Sequence, residues 1–228
     1  LDCPGAADGS WSDDDLVRAG YLSRGDELVA DLKGLFNICL YDEDNRLLKL
    51  FNCRSGARHL YLRRTNEMVA FATEAKALVN ADDYSIRVDR IALCDLFNFA
   101  YVGGTRSMFE GIELIGNGSM IEVSPAGCRQ HQYWDYHFDF LSDSTPRDEL
   151  LEEGGELLQQ AVDRSMAGVE QIGVPLSGGL DSRTILAAAS ENRRELPVVH
   201  CSWYEKEAGY ARQLCEQYSA RWHDFDPL

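Results

Sequence analysis

Positive charge is scarce in this sequence. Against 38 Asp and Glu stand 22 Lys and Arg, for a formal net charge of −16. A surface of that sign repels phosphate backbones and anionic lipid heads, so no nucleic acid and no membrane is expected as a partner. Long apolar runs are missing too, and nothing approaches the ~20 residues that cross a bilayer. The seven cysteines (Cys3, Cys39, Cys53, Cys94, Cys128, Cys201, Cys215) are scattered, odd in number and never spaced C-x-x-C. That pattern argues against a thiolate zinc site and against a disulfide framework, and leaves reduced thiols and a cytoplasmic location as the expectation. The opening LDCPGAADGS has no basic region followed by an apolar one, so no signal peptide is expected in it. It also has no initiating Met, so the expectation is a chain that begins inside a longer protein.

What is present suits a globular protein. Hydrophobic residues make up 45% of the 228 and charged residues 26%, enough for a core without disulfides or a structural metal. Residues 13–31 read as two short helices broken at Gly25, with Asp13 to Asp15 at the positive end of the first. Alternation and turn residues predict two hairpins, 35–42 with 47–53 and 59–64 with 68–73. An apolar helical pattern covers 88–99, and two further strands, 119–123 and 129–134, flank Ser124-Pro125-Ala126-Gly127. The first part is therefore strand-rich, of α+β character.

The pattern changes near residue 137. The polar stretch 137–146 ends at Pro146 and reads as a linker. A long helix follows over 147–168, weakened at Gly154 and Gly155. Then come a strand (172–176), a Gly-rich turn, a helix (182–193), a strand (197–203) and a helix bearing Ala211, Leu214, Cys215 and Tyr218. Such alternation signals a parallel α/β sheet. A third strand, 222–225, is the last element expected, so this sheet is read as incomplete.

The sharpest motif is Ser177-Gly178-Gly179-Leu180-Asp181-Ser182, between strand and helix. Glycines let the backbone turn tightly and approach a ligand. The first N–H groups of the helix lack internal partners, and the helix dipole adds positive character, so an anion, usually phosphate, is favoured there. Ser177 and Ser182 add hydroxyl donors. Asp181 suits a phosphate only with a cation between them, and Mg²⁺ is the natural one. The turn lacks the Gly-Lys-Ser/Thr ending of a Walker A loop. Read as structure alone, it is a turn in which Asp181 or Ser182 caps the helix. His200-Cys201 reads as sheet core, and Asn117-Gly118-Ser119 as a turn.

PLSGGLDSRTILAAA resembles the pyrophosphate-binding loop of PP-loop ATP pyrophosphatases, in particular the asparagine synthetase branch. The first part carries a resemblance of its own. ADLKGLFNICLYDED, NCRSGARHLYL and FATEAKAL are similar to successive strands of class II glutamine amidotransferase domains, which adopt an αββα (Ntn) fold. The resemblance implies a partial amidotransferase domain at 1–136, a linker at 137–146, and the first half of a PP-loop synthetase domain at 147–228. It implies ATP and Mg²⁺, pyrophosphate held by Ser177, Gly178, Gly179, Asp181 and Ser182, and adenine near Leu176, Cys201 and Ser202. The implied reaction joins ammonia from glutamine to a carboxylate, aspartate first among candidates, through an acyl-adenylate. Asp13 matches the aspartate that holds the glutamine α-amino group, although an acidic run at a helix start also serves the dipole. The family's nucleophilic cysteine is expected upstream of residue 1, so this segment alone is expected to be inactive. A homodimer is compatible with the family. Alternatives are a β-lactam-synthetase-like or lasso-peptide-cyclase-like ligase with a silent glutaminase half, and a degenerate nucleotide-binding module. The tRNA-modifying PP-loop enzymes fit the charge poorly.

Overall fold

A computed structural model describes residues 12–81, 84–138, 145–192, 195–200 and 205–224. The chain divides into two compact units, Leu1–Phe138 and Asp139–Leu228.

In the first unit, helix α1 (Asp13–Arg24) starts where the Ser12 hydroxyl accepts the Asp15 N–H at 3.2 Å, with three aspartates in its first turn. Gly25, at φ 62°, ends it. A 3₁₀ turn (Gly25–Glu27) leads into α2 (Leu28–Asp31), whose Leu28 and Val29 are buried. The expected break at Gly25 is there. β1 (Asn37–Asp42) and β2 (Leu47–Asn52) form the first hairpin. Asp42 accepts the Asn45 backbone and side-chain N–H groups at 3.0 and 2.9 Å, and those bonds hold its carboxyl below the usual range.

β3 (Tyr61–Arg64) and β4 (Val69–Ala72) form the second hairpin. The short helix α3 (Ala75–Val79) follows, then α4 (Arg90–Phe99), capped by Asp89, which accepts from Ile91 and Ala92. β5 (Ile112–Leu114) pairs with β3, and β6 (Ser119–Ser124) with β7 (Gly127–Gln132). The result is two antiparallel sheets, β1-β2-β6-β7 and β4-β3-β5. Period-2 alternation sorts their side chains. Leu50, Ile121, Leu60, Leu62 and Ile115 share the core between the sheets. Phe51, Ile38 and Met120 face the other way, toward Leu28, Val29 and Leu32. Ile112 packs with Leu78 and Val79 on the outer side of the second sheet. The layers thus run helix, sheet, sheet, helix.

Three features were not anticipated. β5 and α3 are too short to leave a periodic signal. The apolar pattern at 88–99 does form a helix, but of α4 only Ala92 is buried, and Phe97 is 82% exposed. Lys49 is buried inside the sheet, its ammonium 2.7 and 2.8 Å from the two Asp26 oxygens and 5.4 Å from the centre of the Tyr21 ring. Burial lowers its affinity for the proton, yet the Asp26 carboxylate more than offsets this and its pKa ends raised.

The second unit begins with α5 (Arg147–Met166), which runs unbroken through Gly154 and Gly155. Then come β8 (Val174–Pro175), α6 (Leu180–Asn192), β9 (Pro197–His200), α7 (Glu205–Gln217) and β10 (Arg221–Asp224). The strands are parallel in the order β10-β9-β8. Val174, Leu176, Val198 and Leu186 form its core with Val162 and Met166 of α5 and Ala211 and Cys215 of α7. The first strand is shorter than its apolar run suggested, although the Leu176 N–H still reaches Val199 O at 2.9 Å. The helix after the turn begins at Leu180 rather than 182. Residues 201–203 of the expected second strand, residues 139–144 of the expected linker and residue 225 lie outside the described residues.

Tyr133 ties β7's exit to β2, its hydroxyl donating to Asn52 O at 2.6 Å. Burial, reinforced by Cys53, pushes the phenol from its ordinary 10.0 up to about 12. The fold therefore favours the neutral phenol. Its contribution is complete below about pH 10 and is lost as pH rises from there toward about 12. Between about pH 8 and about pH 11, wild-type stability in urea should fall more steeply than that of Tyr133→Phe, and parallel losses would refute this.

Candidate functional site

The strand-to-helix turn of the second unit is built from short-range bonds. Gly178 takes φ 85°, which a Cβ disfavours. A Cβ there would also lie 2.8 Å from Glu207 O and 3.2 Å from Glu207 Cα, so the start of α7 packs on bare backbone. Gly179 is different: its φ is ordinary and a Cβ would meet only Ser177 Oγ at 3.4 Å. The Gly179 N–H donates to Ser177 Oγ at 3.3 Å. Ser182 Oγ donates to Gly179 O at 3.2 Å, accepts the Ser177 N–H at 3.3 Å, and lies 3.2 Å from Ser177 Oγ. The first α-helical bond, Arg183 N–H to Gly179 O, closes at 3.2 Å. Gly179 is therefore the N-cap, and the N–H groups of Leu180, Asp181 and Ser182 stand at the open helix end.

All five expected loop residues, Ser177, Gly178, Gly179, Asp181 and Ser182, meet in this turn. Asp181 is exposed in the first turn of α6. Leu176 is buried just before it, while Cys201 and Ser202 lie outside the described residues. His200, 4% exposed, brings Nδ1 to 2.7 Å from Leu176 O. A carbonyl only accepts, so Nδ1 carries the hydrogen. His200 also stacks on Trp222 at 5.0 Å between centroids. It is a core histidine, as expected, and it latches β9 to the end of β8. Arg183 was missed by the sequence reading: its Nε donates to Gly179 O at 3.3 Å, and its guanidinium lies 6.0 Å from the centre of the Tyr210 ring. A basic residue directly after the motif was the signal available.

The first unit holds a second candidate, an open cleft of about 1430 Å³. Asp13, Asn37, Cys39, Arg58, His59 and Glu74 are among its lining residues. Asp13 reaches it from α1, Asn37 and Cys39 from β1, and Arg58 and His59 from the segment after β2. Partial desolvation raises the pKa of the Cys39 thiol, although the residue is exposed. The cleft thus offers both signs of charge on one wall system, as a zwitterion would need. Among the described residues no group of three or more His, Cys, Asp or Glu is set to hold a metal ion, and no helix is long and apolar enough to cross a membrane.

These features define a class: a two-sheet unit with a polar cleft, joined in sequence to a parallel α/β unit with an anion-type turn. Residues 5–134 match the family described as glutamine amidotransferase domain, and residues 153–226 match the asparagine synthase family. The chain belongs to the glutamine amidotransferase domain family, in the arrangement of the asparagine synthetases. It is 28% identical over 183 residues to asparagine synthetase [glutamine-hydrolyzing] 3 of Bacillus subtilis, covering 78% of this chain and 29% of that protein. With asparagine synthetase [glutamine-hydrolyzing] 1 of the same organism the identity is 26%, over 84% of this chain and 30% of the relative. Amidase chry2 of Gibberella zeae is 28% identical over 78% of this chain and 26% of its own length. The chain thus spans under a third of the length of these relatives.

The two glycines separate cleanly by experiment. Gly178→Ala should cost ~3 kcal/mol in chemical denaturation, because both its φ and the Glu207 backbone resist a side chain. Gly179→Ala should cost no more than ~1 kcal/mol. Equal losses would mean that the approach of α7 does not set the turn.

Proposed function

We propose that this chain is part of an ATP-dependent ligase that forms an amide on a carboxylate, aspartate being the first candidate, with glutamine as nitrogen donor. The observation that carries the reading is the Ser177–Ser182 turn, set between a parallel strand and a helix within residues that match the asparagine synthase family. ATP would be split to AMP and pyrophosphate, with the carboxylate carried as an acyl-adenylate. On this reading residues 1–136 are the amidotransferase part, with an αββα Ntn fold, 137–146 the linker, and 147–228 the start of the synthetase part. The helix–sheet–sheet–helix layering of the first unit supports the assignment.

The turn fits a phosphate group on its own geometry. The N–H groups of Leu180, Asp181 and Ser182 at the open end of α6 are the donors a phosphate would take. The hydroxyls of Ser177 and Ser182 are 3.2 Å apart and can turn from each other to an oxygen. The exposed Asp181 would hold Mg²⁺, whose other ligands would be phosphate oxygens and water. Leu176 would border the adenine, as would Cys201 and Ser202. In the first unit, Asp13 on the cleft wall would hold the glutamine α-amino group. A cytoplasmic location and a homodimer belong to this reading as well.

Asp181→Asn keeps the shape of the residue and the helix start, so folding should be nearly unchanged. Mg²⁺-dependent pyrophosphate release by the ligase should fall at least ~100-fold, about 2.7 kcal/mol of transition-state stabilisation. Pyrophosphate release is measured against Mg²⁺ concentration, with thermal melts alongside. Full activity in a normally folded variant would reduce the turn to a helix cap.

A further inference from the structure

We propose that Arg183 is a phosphate-binding residue of this turn, taking the pyrophosphate end of the nucleotide through its guanidinium. The proposal rests on the ATP reading above and adds a contact that the SGGLDS motif does not contain.

The geometry places this charge with care. Arg183 is the fourth residue of α6, one turn in from the open end, and its side chain folds back so that Nε donates to Gly179 O at 3.3 Å. The guanidinium therefore sits at the same end of the helix as the unpaired N–H groups. Tyr210 of α7 supports it, with 6.0 Å between Cζ and the ring centre. The same helix approaches the turn on bare Gly178. Two contacts, one from each helix, hold one long side chain beside the turn.

Among the described residues the charge has no ion-pair partner. A helix start disfavours a cation, since the dipole is positive there. An ion pair would relieve that cost, yet among the described residues Arg183 makes none, even with Asp181 two residues before it. A guanidinium has five N–H donors in a planar fork, and here, among the described residues, Nε alone has a protein acceptor. The remaining fork suits two oxygens of a phosphate, a bidentate geometry that lysine cannot match. A multiply charged anion at the turn would face Asp181 with Mg²⁺ on one side and Arg183 on the other. An anion explains why both signs of charge occur in one helical turn.

The test is calorimetric titration of the full-length ligase that contains this chain with pyrophosphate and, separately, with ATP, each with Mg²⁺, over a range of salt. Arg183→Gln should weaken pyrophosphate about tenfold or more, and Arg183→Lys by clearly less, since the charge stays but the fork is lost. The salt dependence of binding should flatten in Arg183→Gln, as one ionic contact is gone. A merely structural arginine would not produce that change. Melting temperatures are recorded for all three proteins; if Arg183→Gln is destabilised, Arg183→Lys decides. Equal losses for both ligands place Arg183 on the nucleotide's own phosphates, and a loss for pyrophosphate alone places it on the released product. Either supports the proposal. If wild type binds and Arg183→Gln binds equally well, Arg183 only positions the helix: the proposal fails and the turn keeps its role. If folded wild type binds neither ligand, the ATP reading itself fails, and this inference with it.

Discussion

One carbonyl, that of Cys53, holds the first unit in register. It accepts the Gly56 N–H at 3.0 Å and the Gly118 N–H at 3.1 Å, while the Cys53 N–H donates to Phe36 O at 3.1 Å. Four chain segments meet there: the entry to β1, the end of β2, the loop that follows, and the turn before β6. Backbone groups can approach this closely only without side chains between them. Gly118 stands at φ 55°, where a Cβ would lie 2.4 Å from Trp134 O. The Gly118 carbonyl in turn accepts from Tyr133 and Trp134 at 2.8 and 3.1 Å. A one-residue slip of β6 would break this knot and turn Ile121 out of the inter-sheet core, so the knot and the apolar pattern enforce the same register.

Side chains then secure what the backbone has aligned. Asn52 donates to Asn37 Oδ1 at 2.8 Å and to Arg58 O at 2.7 Å, fixing the loop that presents Arg58 to the cleft. Around the buried Cys53 thiol, burial pulls upward, but the Ser55 hydroxyl and nearby backbone N–H groups outweigh it, and the pKa falls below the ordinary thiol value. Lys49 fastens the 3₁₀ turn to the sheet through Asp26. Asp26 is partly exposed, while the buried Lys49 ammonium also lies 3.8 Å from Glu122, so the lysine is the partner whose burial depends on these carboxylates. The lysine therefore reads as a latch on α1 and α2, the elements that carry Asp13 to the cleft.

Legibility in the sequence followed the range of the interactions. The hairpins at 37–52 and 61–72 were readable because alternation and turn residues are local. The break at Gly25 and the parallel α/β order of the second unit were readable for the same reason. β5 was not, since three residues carry no period and its pairing to β3 is made across the chain. α4 shows the limit of periodicity itself. Its apolar spacing is helical, but burial depends on what packs against it, and most of the stripe faces outward. Lys49 could not be placed by pattern either, because its burial depends on an aspartate 23 residues earlier.

The two candidate sites differ on the same principle. The turn at 177–182 is made by neighbours: every bond of its two serines stays within the segment, and one glycine conformation sets its direction. Its residues therefore had to occur together in sequence, and the motif could be found by reading. The cleft draws Asp13, Asn37, Arg58 and Glu74 from separate elements, and no spacing rule relates them. Only the resemblance to amidotransferase domains pointed to Asp13. Arg183 lies between these cases. It adjoins the motif, yet its direction depends on Tyr210 from the following helix, so its charge was visible in the sequence and its aim was not. A short motif thus fixes the shape of its own turn, while the aim of the side chains beside it is set by the packing of whole helices.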